Sequence, residues 1–202
     1  MKKLIAILAI AGLGLSAFAA TPKKAVKSAE AYKVSAAESK LNWHAKKIVG
    51  EHFGVVSFKS GSLLMKEGKL VGGEFIVDMP TLDATDLQGE YHDKLVGHLK
   101  SDDFFSTEKH KISVLKIKSV TAGSAANTYN VVADLTIKGI KKEVKFLATV
   151  EVNGNTVTAK ADFNVDRTVY DIRYGSSSFF EGLGDKAIDN LFNIKVSLVA
   201  KK

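Results

Sequence analysis

Few residues in this 202-residue chain could do chemistry, and their spacing decides which chemistry is open to them. His44, His52, His92, His98 and His110 are the obvious metal-ligand candidates. No two of them stand four apart on a helical pattern, and His92 and His98 are six apart, so the sequence predicts no metal site and no cofactor. Ser176-Ser177-Ser178 lacks the G-x-S-x-G context that would expose a nucleophile on a strand-to-helix elbow. Gly182-x-Gly184 opens no phosphate-cradling strand-to-helix turn. The chain's two arginines, Arg167 and Arg173, fall in one segment, DRTVYDIRY. A guanidinium there either pairs with a neighbouring carboxylate, Asp166 or Asp171, or offers its fork to a phosphate. His98, at the edge of an apolar helical stripe, reads as a packing residue or as a contact for a polar headgroup. No nucleophile, acid–base pair or metal constellation converges, so no catalytic residue is predicted and the chain is read as a non-enzyme.

The elements that must position these groups are mostly strands. Period-two alternation predicts strands at Tyr32–Val34, Lys40–Lys46, Glu51–Ser60, Ser62–Lys66, Lys69–Met79, Lys111–Val120 and Tyr129–Ile137. Three more come after these: one centred on Val144 to Val150, one from Val157 to Val165, and one from Ile188 to Leu198. Glu67-Gly68, Lys138-Gly139 and Asn153-Gly154 read as turns, and Gly72-Gly73 as a bulge. One stretch breaks the pattern. Tyr91 to Phe105 has helical periodicity with Tyr91, Leu95 and Leu99 on one stripe, a capping-box spacing at Thr85 and Gln88, and Ser101 placed to cap a short turn that delivers Phe104 and Phe105 inward. About eight or nine antiparallel strands with one helical excursion, most of them apolar on one face, fit a sandwich or a closed barrel. Small residues at predicted lining positions, Ala45, Ala133, Ala148, Ala159 and Ala161, favour a barrel with a lumen of several hundred cubic ångströms over a filled core.

The first twenty residues read as an export signal: Lys2 and Lys3, an apolar run from Leu4 to Leu15, then Ala17-Phe18-Ala19 as a cleavage site. Residues 21–30 read as a disordered leader and 31–202 as one domain, periplasmic or secreted. The chain has no cysteine, so the domain must stand on its core without disulfides. Without Lys2 and Lys3 it carries 27 basic and 22 acidic residues, a charge of +5. Lysines spread along strand exteriors do not make a nucleic-acid reader, but they allow transient contact with an anionic membrane surface.

Five stretches together resemble the YceI family: WHAKK at Trp43 to Lys47, HFGVVSFKSG at His52 to Gly61, GGEFIVDM at Gly72 to Met79, HLKSDDFF at His98 to Phe105 and LTIKGIKKEV at Leu135 to Val144. The resemblance covers the whole mature chain. It implies an antiparallel lipocalin-like barrel, so that, with the strands and the helical stretch read above, the expected fold is all-β, an eight-stranded antiparallel lipocalin-like barrel with one main helix covering or plugging it. It also implies an exported carrier of a polyisoprenoid or isoprenoid-quinone-like lipid, with no established catalytic residue. On that expectation the lumen is lined by Trp43, Phe53, Val55, Phe75 and Val77 from the first strands, and by Val131, Ala133, Leu135, Phe146 and Ala148 from the middle pair. Ala159, Phe163, Ile194 and Val196 line it from the last pair, Leu95, His98, Leu99, Phe104 and Phe105 from the helical plug, and Arg167 at one end. The alternatives are an exported stress or interaction protein with a filled core and, with less support in the sequence, a hydrolase.

Overall fold

In the computed structural model the described residues are 28–202; the signal-like segment, residues 1–20, and leader residues 21–27 lie outside them. Strand β1 (Glu30–Val34) already begins at the last residue of the expected leader. It is followed by β2 (Lys40–Lys47), β3 (Glu51–Lys66), β4 (Lys69–Ala84), helix α1 (Gly89–Lys100), β5 (Ile112–Ala122), β6 (Thr128–Ile137), β7 (Ile140–Asn153), β8 (Thr156–Asp166) and β9 (Ile188–Lys201). Strands β2 to β9 pair antiparallel with their sequence neighbours, and β9 returns to β2, so eight staves close a barrel as the sequence predicts. Closure removes the exposed edges that an open sheet of this length would present. The ninth strand is half of a split stave. β1 and β2 both lie between β3 and β9, and between the pairs Lys33↔Ser62 and Leu41↔Val56 this side is two residues longer than β3. The excess is thrown out as a turn held by Ser39 N–H donating to the Ser35 carbonyl at 3.0 Å.

Side-chain parity, and hence what faces the lumen, is set by bulges. Met65 pairs with Leu70 but Leu64 with Gly72, so Val71 is the extra residue; Leu70 turns inward and Val71 turns out. Lys59 is a second extra residue, which is why Glu51–Ser60 and Ser62–Lys66 are one strand rather than two. A third irregularity, around Met79 to Leu82, lets β4 continue through Pro80, which would otherwise break a ladder. Glu67-Gly68 and Lys138-Gly139 hold positive φ at both central positions, as a two-residue hairpin turn requires. In the third hairpin the central pair is Gly154-Asn155, one residue later than expected, because Asn153 still pairs with Thr156.

The barrel has two different ends. At the one holding β1, Tyr32, Leu63, Met65, Val157 and Ala200 fill the section almost completely; Leu63 is 2% exposed and Val157 0%. Leu63, Met65 and Val157 each contribute about 1.5–3 kcal/mol on burial. The opposite end is closed by α1, the turns after it, and the segment from Arg167 to Ala187. Helix α1 begins with Gly89 at φ +60°, where glycine eases the chain into the helix rather than weakening it. Gln88 is the N-cap and makes no side-chain cap; Thr85 instead bonds the Phe53 carbonyl, so the expected capping box does not form. The covered stripe is Leu95, Val96 and Leu99, turned from the expected one: Tyr91 is 75% exposed.

Candidate functional site: an apolar lumen under a helical lid

An apolar cavity extends through the barrel from Leu63 and Leu198 to Phe104 and Ile172, lined by side chains from β2 to β9. Of the predicted positions, Trp43 on β2, Phe75 and Val77 on β4, Val131 and Leu135 on β6, and Phe146 and Ala148 on β7 line it. So do Ala159 and Phe163 on β8, Ile194 and Val196 on β9, Leu99 at the end of α1, Phe104 and Phe105 on the next turn, and Arg167. The walls are almost wholly apolar. The volume is about 190 Å³, below both the several hundred expected and the ~300 Å³ at which ligand pockets usually begin. The cause is compensation: aromatic rings occupy the space that the alanines leave, with Phe146 stacked on Phe163 at 4.4 Å and Phe105 edge-on to Phe192 at 6.2 Å. Even so, Ala45, Ala159, Ala161, Phe146 and Phe163, all mid-barrel and inward, keep part of their surface accessible.

Five expected lining residues do not face this cavity. Phe53 and Val55 are on the outer wall, 45% and 39% exposed, because the inward parity of β3 runs through Gly54, Val56 and Phe58. Glu51, Ser57 and Lys59 share the parity of Phe53 and Val55, and that polar set was the signal that marked the outer face. Gly54 is needed there: a Cβ would sit 2.8 Å from the Trp43 ring and 1.9 Å from the Asp83 carbonyl. Ala133 is 0% exposed, sealed between its paired neighbours Ile117 and Val144. Leu95 packs on the barrel outside the cavity. His98 stands behind the wall, edge-on to Phe104 at 4.8 Å and to Tyr174 at 4.5 Å, with Asp103 3.3 Å from Nε2; packing, not the lumen, holds it. Sequence reasoning missed Val56, Phe58 and Leu63 on β3, Leu82 near the end of β4, and Ile172 and Phe192 at the lidded end.

The lidded end is organised by Arg167, 4% exposed. It pairs with no carboxylate. Its Nε donates to the Asp189 carbonyl at 3.0 Å, one terminal nitrogen to the carbonyls of Ile172 (2.9 Å) and Tyr174 (2.8 Å), and the other to Ile188 (3.0 Å). Asp166 instead accepts from the Thr168 backbone N–H and hydroxyl, capping the 3₁₀ turn Arg167–Tyr170, while Asp171 pairs with the exposed Arg173. Burial lowers the Arg167 pKa from its ordinary value, with the charges of Asp166 and Asp189 opposing. Four donors committed to backbone make it the strut of the 172–189 loop rather than a phosphate ligand.

Two histidine–carboxylate pairs fix the lid, one at the connection leading into α1 and one on its first turn. His52 Nδ1 lies 2.7 Å from Asp86, which also accepts the Phe53 N–H. Burial pushes the Asp86 carboxyl up, but the bonds from His52 and Phe53 outweigh it and hold its pKa below the usual value. His92 sits 2.9 Å from Asp93 and 2.8 Å from Asp83 on β4; Asp93 first, then Asp83, raise its pKa. No group of three metal-ligating side chains occurs among the described residues. Ser113, the hydroxyl on the cavity wall, donates to the Thr136 carbonyl at 2.8 Å. Buried in the same end, the Tyr170 hydroxyl lacks a hydrogen-bond partner, and burial with the nearby Asp166 charge pushes it up to about 12.

The barrel has solved counterparts. A protein from Burkholderia cenocepacia, BcnA, superimposes with a TM-score of 0.66 at 22% identity, covering 83% of this chain and 99% of that one. A polyisoprenoid binding domain from Saccharophagus degradans, implicated in plant cell wall breakdown, gives 0.60 at 16% identity over 84% of this chain and 97% of that one. The Campylobacter jejuni YCEI protein gives 0.54 at 14% identity over 72% and 82%. At these identities the likeness is one of fold. No curated protein matches. The family model for the YceI-like domain matches residues 32–200, from the middle of β1 almost to the end of β9, and the chain belongs to that family.

Proposed function

We propose that this protein is an exported, non-catalytic carrier that holds the tail of a polyisoprenoid or isoprenoid-quinone-like lipid in its barrel. The observation that carries the reading is the continuous apolar cavity lined from every stave. An apolar tail needs no strong polar anchor: burying ten methylene equivalents contributes roughly 8 kcal/mol, comparable with micromolar affinity before ordering costs. The ligand of the Saccharophagus degradans domain supports the lipid class. Two polar side chains at the wall, Arg167 and Ser113, are engaged with backbone carbonyls, which supports binding over hydrolysis. A lumen of 190 Å³ requires the wall aromatics to yield when a tail enters. Trp43 is the chain's one tryptophan and lines the cavity, so it reports occupancy directly. Titration with geranylgeraniol should quench and blue-shift Trp43 emission saturably, with a stoichiometry of one lipid per chain by native mass spectrometry. An unchanged Trp43 spectrum and a bare protein mass in excess lipid reject the carrier reading and leave an interaction protein with a filled core.

A further inference from the structure

The barrel wall is not equally closed all round. The β6–β7 ladder runs to the pair Ile137↔Ile140 and the β8–β9 ladder to Asp166↔Leu191, but the β7–β8 ladder between them stops at Ala148↔Ala161. Beyond that pair, towards the lidded end, β7 and β8 part. The fork is bounded at its far end by the 3₁₀ turn Arg167–Tyr170, which packs on β7 and β9. Inside it, the stacked rings of Phe146 and Phe163, 4.4 Å apart and 12° from parallel, span the gap and also line the lumen. Outside, at the base of the fork, a groove on the outer wall is formed by β7, β8, β9 and β2, and it shares Lys160, Ala161 and Val196 with the lumen lining. Three exposed lysines, Lys40, Lys160 and Lys195, edge this groove against one carboxylate, Asp162, which is held by the Asn193 amide at 2.7 Å.

On the reading that the lumen holds an isoprenoid tail, we propose that the fork is its port and the lysine groove a subsite for the ligand's anionic headgroup, a phosphate or diphosphate ester. Each feature demands the others. A tail threaded between Phe146 and Phe163 leaves its head at the fork base, where three ammonium groups and one engaged carboxylate favour an anion. Other routes are better sealed: one end is packed solid with buried side chains, and the lidded end is tied by the four bonds of Arg167. Two flat rings in contact can instead slide or swing apart without breaking a hydrogen bond, and their displacement adds the width that a 190 Å³ lumen lacks. A neutral quinone head would gain nothing from the lysines, so the groove selects a phosphorylated isoprenoid over a quinone.

The test compares geranylgeranyl diphosphate with geranylgeraniol by Trp43 fluorescence. Replacing Lys40, Lys160 and Lys195 together by Ala should raise the Kd of the diphosphate about tenfold and leave that of the alcohol within about twofold. Removing equal charge elsewhere, with Lys59→Ala, Lys66→Ala and Lys69→Ala, should leave both within about twofold. An equal loss for both ligands, or none for the diphosphate, overturns the headgroup subsite. Saturable, lysine-dependent binding of inorganic pyrophosphate alone would show a free-anion site and overturn the lipid assignment. For the port, Leu147→Cys with Asp162→Cys gives the only two thiols in the chain, which a reducible bismaleimide can bridge across the fork. Bridging should slow geranylgeraniol loading by about tenfold, with recovery on reduction; a bridge on the lid between Asp83→Cys and His92→Cys should slow it less. The reverse order overturns the port while leaving the carrier reading intact. Absence of binding of both lipids to the unaltered protein removes the carrier reading itself.

Discussion

The two ends of the barrel are closed by different physics. Around β1 the section is filled by Leu63, Met65, Val157 and Ala200, all nearly without exposure, so closure there is packing. At the other end lies a helix with no buried residue, laid on β4 through Leu95, Val96 and Leu99 and pinned by His52–Asp86 and His92–Asp83. Beside it, a long loop is held by one guanidinium. Packing is cooperative and cannot be undone locally, whereas polar pins can be removed one at a time. One end therefore serves as a floor and the other as a lid.

The sharpest way to break that contrast is Arg167→Met. It removes the donors for four carbonyls, those of Ile172, Tyr174, Ile188 and Asp189, and should cost about 4 kcal/mol, with amide exchange rising first in residues 171–190. Arg167→Lys should rescue little, since one ammonium cannot reproduce the fork. At the floor, Leu63→Ala should cost about 3 kcal/mol in urea unfolding, spread over the whole barrel without a local opening. A local exchange hot spot at β1 in that variant would show that the floor too is a separable unit.

Smaller effects sharpen the lid. Leu99→Ala, at the cavity, should weaken geranylgeraniol binding about fivefold, whereas Lys100→Ala should leave it nearly unchanged; bound lipid should raise exchange protection in α1 more than in the outer strands. The reverse ranking would mean that the ligand does not reach the helix. Tyr170→Phe removes a buried hydroxyl that has no partner, so stability should change by less than about 0.5 kcal/mol or rise. Smallest is the pH response of the lid. The His92 pKa is raised, so its contribution is full below its ordinary value of 6.5 and lost as pH rises through the folded value above that. The Asp86 pKa is lowered, so its contribution is present above the ordinary 3.8 and lost as pH falls through the folded value. Exchange protection in α1 should peak between those edges, and His92→Gln should abolish the alkaline limb.

What the sequence determined by itself is local. Period-two alternation located the strands, the Glu67-Gly68 and Lys138-Gly139 pairs located two hairpins, and the helical stripe located the lid, because strand, turn and helix each leave a short-range pattern in residue type. Most lumen residues on β6 to β9 were legible too, since those strands keep strict alternation. What the tertiary structure decided is everything that depends on a partner far along the chain. One extra residue in β3 or β4 changes the parity of the side chains beyond it, and as the extra residue of β4 Val71 turns outward; Phe53 and Val55 lie before the β3 bulge, and the polar residues sharing their parity marked their face in the sequence. Docking against β4 turned the helix until Tyr91 faced solvent. Arg167 sits one residue from Asp166 yet bonds carbonyls up to 22 residues away, because a buried guanidinium goes where the backbone offers acceptors. The fork was invisible for the same reason: β7 and β8 both alternate throughout, and only barrel closure determines where two continuous strands cease to pair.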